Sequence, residues 1–479
     1  MGLLLILIIS MNFFNIKLNL KNNIILYFTI PIIIIWYLIF GLNLSYEPYI
    51  WDDLHFFREY SKKELKNIWF GNWDSDGIET LSYRPFAILY YHLLYLLFEE
   101  NTFLLRSFVI FESLILILIS NKLLDFLNFN KTAIFFFTLL IIFSKIFLTL
   151  ISWFTISVLI FAYIISISSI LLFLISIENK KISYYCLSII FATIGILTRE
   201  ELYIMPAILF FIYFYKYEIN IKNFILCTVK IFPFLFLIFA HMYLRKEFIP
   251  EADHLQIIGY SIKYGEDLLN FGGLIKAFKS SFLPMGYLSS QYSSLVQLIF
   301  SWVWISVISI LIIILLKKNI FFKFKNILIL ILLVLICCLP HLTVARSFGI
   351  YFSSFFALAL IAKLASSFFS LVKVQKNEKK YLSFFLLTLL LMSGTLGGIY
   401  RSAEHAKSMS QYSLTIIKLD AKFIYGYKND NTRVSIPKKR YLKKERHLKD
   451  LNINDYNWGE DLNIKSKKLI KTTYEPLSF

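Results

Sequence analysis

Charge is what this sequence has little of: 17% of its residues are Asp, Glu, Lys or Arg, where a soluble globular domain carries about 25%. A 479-residue chain that is 58% hydrophobic cannot wrap so much apolar surface in a polar shell, which excludes an ordinary water-soluble fold. Cysteine is also scarce. The four, Cys186, Cys227, Cys337 and Cys338, lie in or beside apolar runs without metal-ligand spacing or a pairing pattern in an exposed loop, so they are expected to be buried apolar residues. Strand-like alternation is missing, and so is any internal repeat. Met1 to Phe14 lacks the small-residue cleavage site of a signal peptide, and that stretch carries no assignment.

What is present is apolar sequence in long blocks. Mean hydropathy is +0.66, and uninterrupted runs of membrane-spanning length alternate with short polar loops. The expected spans cover residues 24–42, 103–127, 132–148, 155–177, 182–198, 202–215, 224–243, 294–316, 326–340, 349–372 and 381–399. The predicted fold class is therefore an all-α polytopic membrane protein, a bundle of about eleven transmembrane helices over residues 1–399 followed by a polar segment, 400–479.

The net charge of +18 does not point to nucleic acid, because the basic residues flank the apolar runs and fill the C-terminal tail. Placing alternate loops on opposite sides collects Lys17, Lys21, Lys122, Lys131, Lys180, Lys181, Lys216, Lys222 and the lysines of 317–325 and 373–380 on one side. By the positive-inside rule that side is the cytosol, which fits a multi-pass protein of a bacterial cytoplasmic membrane. The long loops 43–102 and 244–293 and the tail 400–479 then lie outside. In the first, Pro85 can open a helix, and Phe86 to Phe98 is too short to span, so an interfacial or re-entrant helix is expected. The second holds Gly272-Gly273 and a mixed stretch, Leu274 to Phe282, that can lie along the membrane surface. The tail carries a basic run from Lys438 to Arg446 and a patch around Tyr456, Trp458, Glu460 and Asp461, as in a small domain or ordered extension.

Asp52 and Asp53 follow the first long span almost at once, at the membrane surface. Partial desolvation there raises a carboxyl pKa toward the range of a general base. The competing reading makes one of them a helix cap, with Trp51 as an interfacial anchor. His55 lies one helical turn beyond Asp52 and could join it at a metal, but two such groups are too few for a site. His341, after Pro340 at a membrane edge, is expected to be packed or interfacial.

Three short stretches then carry a resemblance. Asp52-Asp53-Leu54-His55-Phe56 resembles the D-E-x-H-F segment that protein O-mannosyltransferases carry after their first transmembrane helix, with Asp53 in place of Glu. Tyr83-Arg84-Pro85-Phe86 is similar to the Y-R-P-L stretch of TMTC-type mannosyltransferases, and Thr198-Arg199-Glu200 with Pro206 is similar to their K-E-x5-P pattern. Both families belong to the GT-C superfamily of membrane glycosyltransferases. The resemblance spans mainly residues 24–215, and its continuation is Arg346 with Tyr351, where Arg346-Ser347-Phe348-Gly349 departs from the family's Arg-Tyr-rich pattern.

The resemblance implies a GT-C-like bundle that moves a sugar from a polyprenyl-phosphate donor to a protein, glycan or lipid acceptor on the outer face, with inversion. Direct displacement needs one base opposite a leaving group. Asp52 aligns with that base, and Asp53 would orient it or couple to it electrostatically. Arg84, Arg199 and Arg346 are the candidates for holding the leaving phosphate, with His55, Glu200 and Tyr83 in support. No cofactor is implied, since the O-mannosyltransferases use no catalytic metal, although oligosaccharyltransferases of the superfamily do. The structural alternatives pair Arg199 with Glu200 or Glu201 and let Arg84 snorkel to headgroups. The functional alternatives are a transporter or flippase of lipid-linked glycans, and a catalytically inactive scaffold of the same fold.

Overall fold

The computed structural model describes residues 56, 60–71, 83–98, 101–152, 154–248, 271–284, 295–317, 324–342, 351–374 and 385–400. All described regular structure is helical. The helices are α1 (Lys62–Phe70), α2 (Pro85–Phe98), α3 (Thr102–Phe126), α4 (Lys131–Ile142), α5 (Lys145–Ser152), α6 (Phe154–Asn179), α7 (Ile182–Thr198), α8 (Met205–Lys216), α9 (Ile221–Phe248), α10 (Phe271–Phe282), α11 (Leu295–Lys317), α12 (Phe324–Cys338), α13 (Tyr351–Val374) and α14 (Phe385–Tyr400). They form a multi-pass, membrane-type helical bundle.

Eleven full spans are not what these runs make. Among the described residues five helices are long and apolar enough to cross a membrane, α3, α6, α9, α11 and α13, or six if α4 and α5, bent by 58° across Phe143-Ser144, count as one broken span. The expected span 24–42 lies outside the described residues. Among the described residues, runs 182–198, 202–215, 326–340 and 381–399 contribute helices of 12 to 17 residues. At 1.5 Å per residue the longest of these reaches about 25 Å, short of a hydrocarbon layer about 30 Å thick. Hydropathy located the apolar runs; Arg199, Pro206 and Pro340 divide or end several of them before they reach spanning length.

At the centre stands α6, with 94% of its apolar window buried. It packs against α3, α5, α7 and α8. Its small residues allow this close approach: Ser169 and Ser188 of α7 each donate to the other's carbonyl oxygen, at 2.7 and 2.8 Å. A Cβ on Gly195 of α7 would come within 3.1 Å of the Ser166 Oγ. On the far side α13 packs against α4, α12 and α10. By contrast α9 and α11 have only 22% and 28% of their apolar windows buried and present Phe232, Phe236, Phe239, Trp302 and Ile313 outward, as helices facing lipid do.

The expected short helices also form. Pro85 opens α2 at its first turn, where a missing N–H costs nothing. The helix is packed into the bundle through Ala87, Ile88, Tyr90, Tyr91 and Leu94 and leaves Leu96 and Leu97 exposed. The stretch from Gly272-Gly273 onward lies in α10, which buries the small residues Gly273, Ala277, Ser280 and Ser281 and packs against α13, with the Ser281 hydroxyl donating to the Ser353 hydroxyl at 2.7 Å. Helix α9 runs on to Phe248, five residues beyond the expected end of its span, and so carries the start of the loop 244–293 into the bundle. Cys227, Cys337 and Cys338 are buried, whereas Cys186 is exposed on α7, a departure from the expectation for all four. The tail 400–479 lies outside the described residues beyond Tyr400.

Candidate functional site

Lys131, Lys216 and Lys325 gather where α3, α8 and α12 end or begin, while Arg84, Arg199 and Arg245 lie at the other end, before α2, at the C-terminus of α7 and in the last turn of α9.

At that second end, α2 is entered through Tyr83 and Arg84. The Arg84 carbonyl accepts the first amides of the helix, from Ala87 at 3.0 Å and Ile88 at 3.3 Å, which fixes the residue at the helix start. Its side chain turns inward, and Nε donates to the Glu200 Oε2 at 2.6 Å. Helix α7 ends at Arg199, whose extended backbone turns the chain into a short 3-10 helix, Glu200–Ile204, before Pro206 opens α8. That turn presents two adjacent carboxylates. Arg199 pairs with Glu201 at 3.4 Å, the longer and weaker of the two links.

Helix α9 completes the cluster with His241 and Arg245, four residues apart on one face and both buried. The His241 Nε2 lies 3.0 Å from the Tyr83 carbonyl and its Nδ1 2.5 Å from the Tyr203 hydroxyl. A carbonyl oxygen only accepts, so Nε2 carries the proton and Nδ1 accepts from Tyr203, which assigns one neutral tautomer that satisfies both contacts. Tyr83 is anchored at its other end, where its hydroxyl donates to the Trp69 carbonyl of α1 at 3.1 Å. One buried imidazole thus ties α2, α9 and the 3-10 turn together.

The electrostatics follow from this crowding. Burial alone would raise the Glu200 carboxyl, but Arg84, then Arg245 and His241, hold it at about 2. Burial likewise works against the Arg84 cation, and the Glu200 carboxylate outweighs it, raising the guanidinium above its ordinary value. Glu200 is an ionised partner and not a proton shuttle. Its Oε1 and the Glu201 Oε2 are buried with no hydrogen-bond partner among the described residues. Below them Tyr163 of α6 feels both Glu201 and Arg199 and stacks on Tyr351 at 4.7 Å. Tyr351 in turn shares a contact with Ser120 of α3.

Of the residues singled out in the sequence, Tyr83, Arg84, Arg199 and Glu200 come together here. Arg84 is paired with a carboxylate instead of reaching to headgroups, and Arg199 makes the carboxylate link that was its structural alternative, with Glu201. Asp52, Asp53, His55 and Arg346 lie outside the described residues. His241, Arg245 and Tyr203 were not singled out. The signal was available in the His241-Arg245 spacing, one helical turn across the end of the apolar run 224–243. Among the described residues no group of three His, Cys, Asp or Glu side chains could hold a metal ion.

No protein-family model matches the chain, and no curated protein matches it. Among solved structures it is similar to the crystal structure of the Archaeoglobus fulgidus oligosaccharyltransferase in the apo form, with a TM-score of 0.45 and 12% identity over 88% of this chain and 62% of that one. The same enzyme tethered with an acceptor peptide containing the NVT sequon gives a TM-score of 0.46 and 14% identity, over 81% of this chain and 55% of that one. The chain thus spans less than two thirds of the length of the archaeal protein.

Proposed function

We propose that this protein is a membrane glycosyltransferase of the GT-C type that moves a sugar from a polyprenyl-phosphate-linked donor to an acceptor on the extracytoplasmic face by inverting displacement. The observation that supports the reading is the Arg84–Glu200 ion pair. Tyr83-Arg84-Pro85-Phe86 and Thr198-Arg199-Glu200 resemble the same families independently, stand 116 residues apart and end in one contact at one end of the bundle. Two accidental matches have no reason to meet.

In this reading Asp52 takes the acceptor's proton as it attacks the anomeric carbon, and Asp53 orients Asp52 or shifts its titration by coupling. As the anomeric C–O bond breaks, its electron pair stays on the leaving polyprenyl phosphate, which goes from one negative charge to two, and guanidinium groups suit it through charge-assisted, bidentate hydrogen bonds. Arg84, Arg199 and Arg346 supply them, with Arg245 as a fourth cation beside Glu200. Glu200 keeps Arg84 charged and in place, Tyr83 buttresses the start of α2, and His55 stands one turn from the base. The acceptor is a protein, a glycan or a lipid.

Asp52→Asn removes the base while keeping the side chain's shape, so transfer from a polyprenyl-phosphate sugar in isolated membranes should fall to background with the protein level unchanged. Retained turnover would remove Asp52 from that role. Movement of solute without a glycosyl product would turn the reading to a transporter.

A further inference from the structure

At the end of α8 two ammonium groups reach Tyr215 and Tyr217, and a third is carried by Lys216 between them. Lys216 pairs with Glu178, donates to the Phe126 carbonyl at 3.2 Å and lies over the Phe126 ring. Lys325, at the start of α12, donates to the Tyr217 carbonyl at 2.8 Å. Lys363 of α13 donates to the Tyr215 hydroxyl at 2.6 Å and faces the rings of Phe129 and Tyr215 at 4.8 and 5.1 Å. None of the three is fully exposed. They point into the seam between α8, α12, α13 and the turn from α3 to α4.

Capping explains part of this, since a lysine satisfies the carbonyl oxygens left over at a helix end. It leaves two atoms unexplained. The Tyr217 hydroxyl and the Asn326 Oδ1, on a residue that Lys325 bonds and on the one that follows Lys325, are buried with no hydrogen-bond partner among the described residues, although Asn326 also bonds Tyr215. A buried hydroxyl wants an acceptor and a buried amide oxygen wants a donor, and such orphans mark a missing water, ion or ligand. The occupant therefore carries negative charge, acceptor oxygens and a hydroxyl.

The geometry points to a binding site for the headgroup of an anionic lipid, a phosphodiester bearing free hydroxyls, in the leaflet at the lysine-rich end of the bundle. The phosphate accepts from Lys325, Lys363 and the Tyr217 hydroxyl, and a headgroup hydroxyl donates to Asn326. Basic seams between helix ends are where such headgroups are held, the acyl chains lying along the helices. This site is separate from the arginine cluster at the opposite end and does not depend on the glycosyltransferase reading.

The full chain, purified in mild detergent, would be exposed to equal amounts of phosphatidylglycerol and phosphatidylcholine and the retained lipid counted by native mass spectrometry. The expected result is retention of phosphatidylglycerol about tenfold over phosphatidylcholine. Lys325→Gln with Lys363→Gln should remove that preference, each ammonium being worth roughly fivefold. Lys363→Arg should keep it. Tyr217→Phe tests the same site without touching charge and should lower retention several-fold at an unchanged melting temperature. Soluble glycerol phosphate should not displace the lipid. Equal retention of the two lipids, unchanged preference in the double Gln variant and in Tyr217→Phe, or displacement by glycerol phosphate would each overturn the assignment.

Discussion

At the scale of single residues, the arginine end is governed by one rule: a buried charge persists only with partners. Glu200 has three cationic or polar neighbours and remains ionised far below the ordinary carboxylate range, at about 2 against 4.5. A carboxyl whose pKa is depressed by folding stabilises the protein above its unfolded value, and that stability drains away as pH falls toward the folded value. The Glu200 contribution is therefore complete above about pH 4.5 and is lost between 4.5 and 2. Glu200→Gln should lower the melting temperature at pH 6 to 7 and narrow its gap to the unchanged protein steadily below pH 4.5. A gap that stays constant to pH 3 would show that Glu200 gains nothing from Arg84 and its neighbours. His241 obeys the same rule in neutral form, with each ring nitrogen matched to one partner.

At the scale of elements, glycine decides how α14 docks. Gly394 and Gly398 stand one turn apart on α14. A Cβ on Gly398 would lie 1.8 Å from the Phe143 carbonyl oxygen, and one on Gly394 would lie 2.5 Å from the Trp304 ring. The contact falls at the break between α4 and α5, where Ser144 donates to the Ile141 carbonyl and accepts from the Phe147 amide to restart the helix. Small residues four apart let helix backbones touch in this way. Gly398→Val should cost about 1–3 kcal/mol or more, because the atom in the way is backbone and cannot rotate aside. Gly71→Ala is the control: its backbone is extended, and an added Cβ meets nothing within 4 Å. Equal melting temperatures for the two variants would mean that α14 does not pack as described. The existence of the helices was legible as apolar runs, α2 and α10 included. Their lengths were not, because hydropathy averages over a window, whereas the chain stops its helices at particular groups such as Arg199 and is bent at Phe143-Ser144.

At the scale of the whole molecule, the Arg84, Arg199 and Arg245 cluster lies at one end of the bundle and Lys131, Lys216 and Lys325 at the other. Tyr83, Arg84, Arg199 and Glu200 were legible because polar residues at the edges of apolar runs stand out. His241 was hidden inside the run 224–243 counted as one span, and Arg245 fell just beyond it in the loop 244–293, so their i, i+4 pairing on one helix was divided by the expected boundary. The proposed orientation rests on the lysines of the short loops, which the positive-inside rule assigns to the cytosol, so that in this proposal the arginine end faces outward. Asn101 and Glu218, both exposed, mark the two ends, the first just before α3 and the second just after α8. With Cys186 replaced by Ser, Asn101→Cys should react in intact cells with a maleimide that cannot cross the membrane. Glu218→Cys should react only after the membrane is permeabilised. The reverse pattern would put the arginine cluster in the cytosol, out of reach of any acceptor on the outer face, and the glycosyltransferase reading would have to be redrawn around a cytosolic substrate.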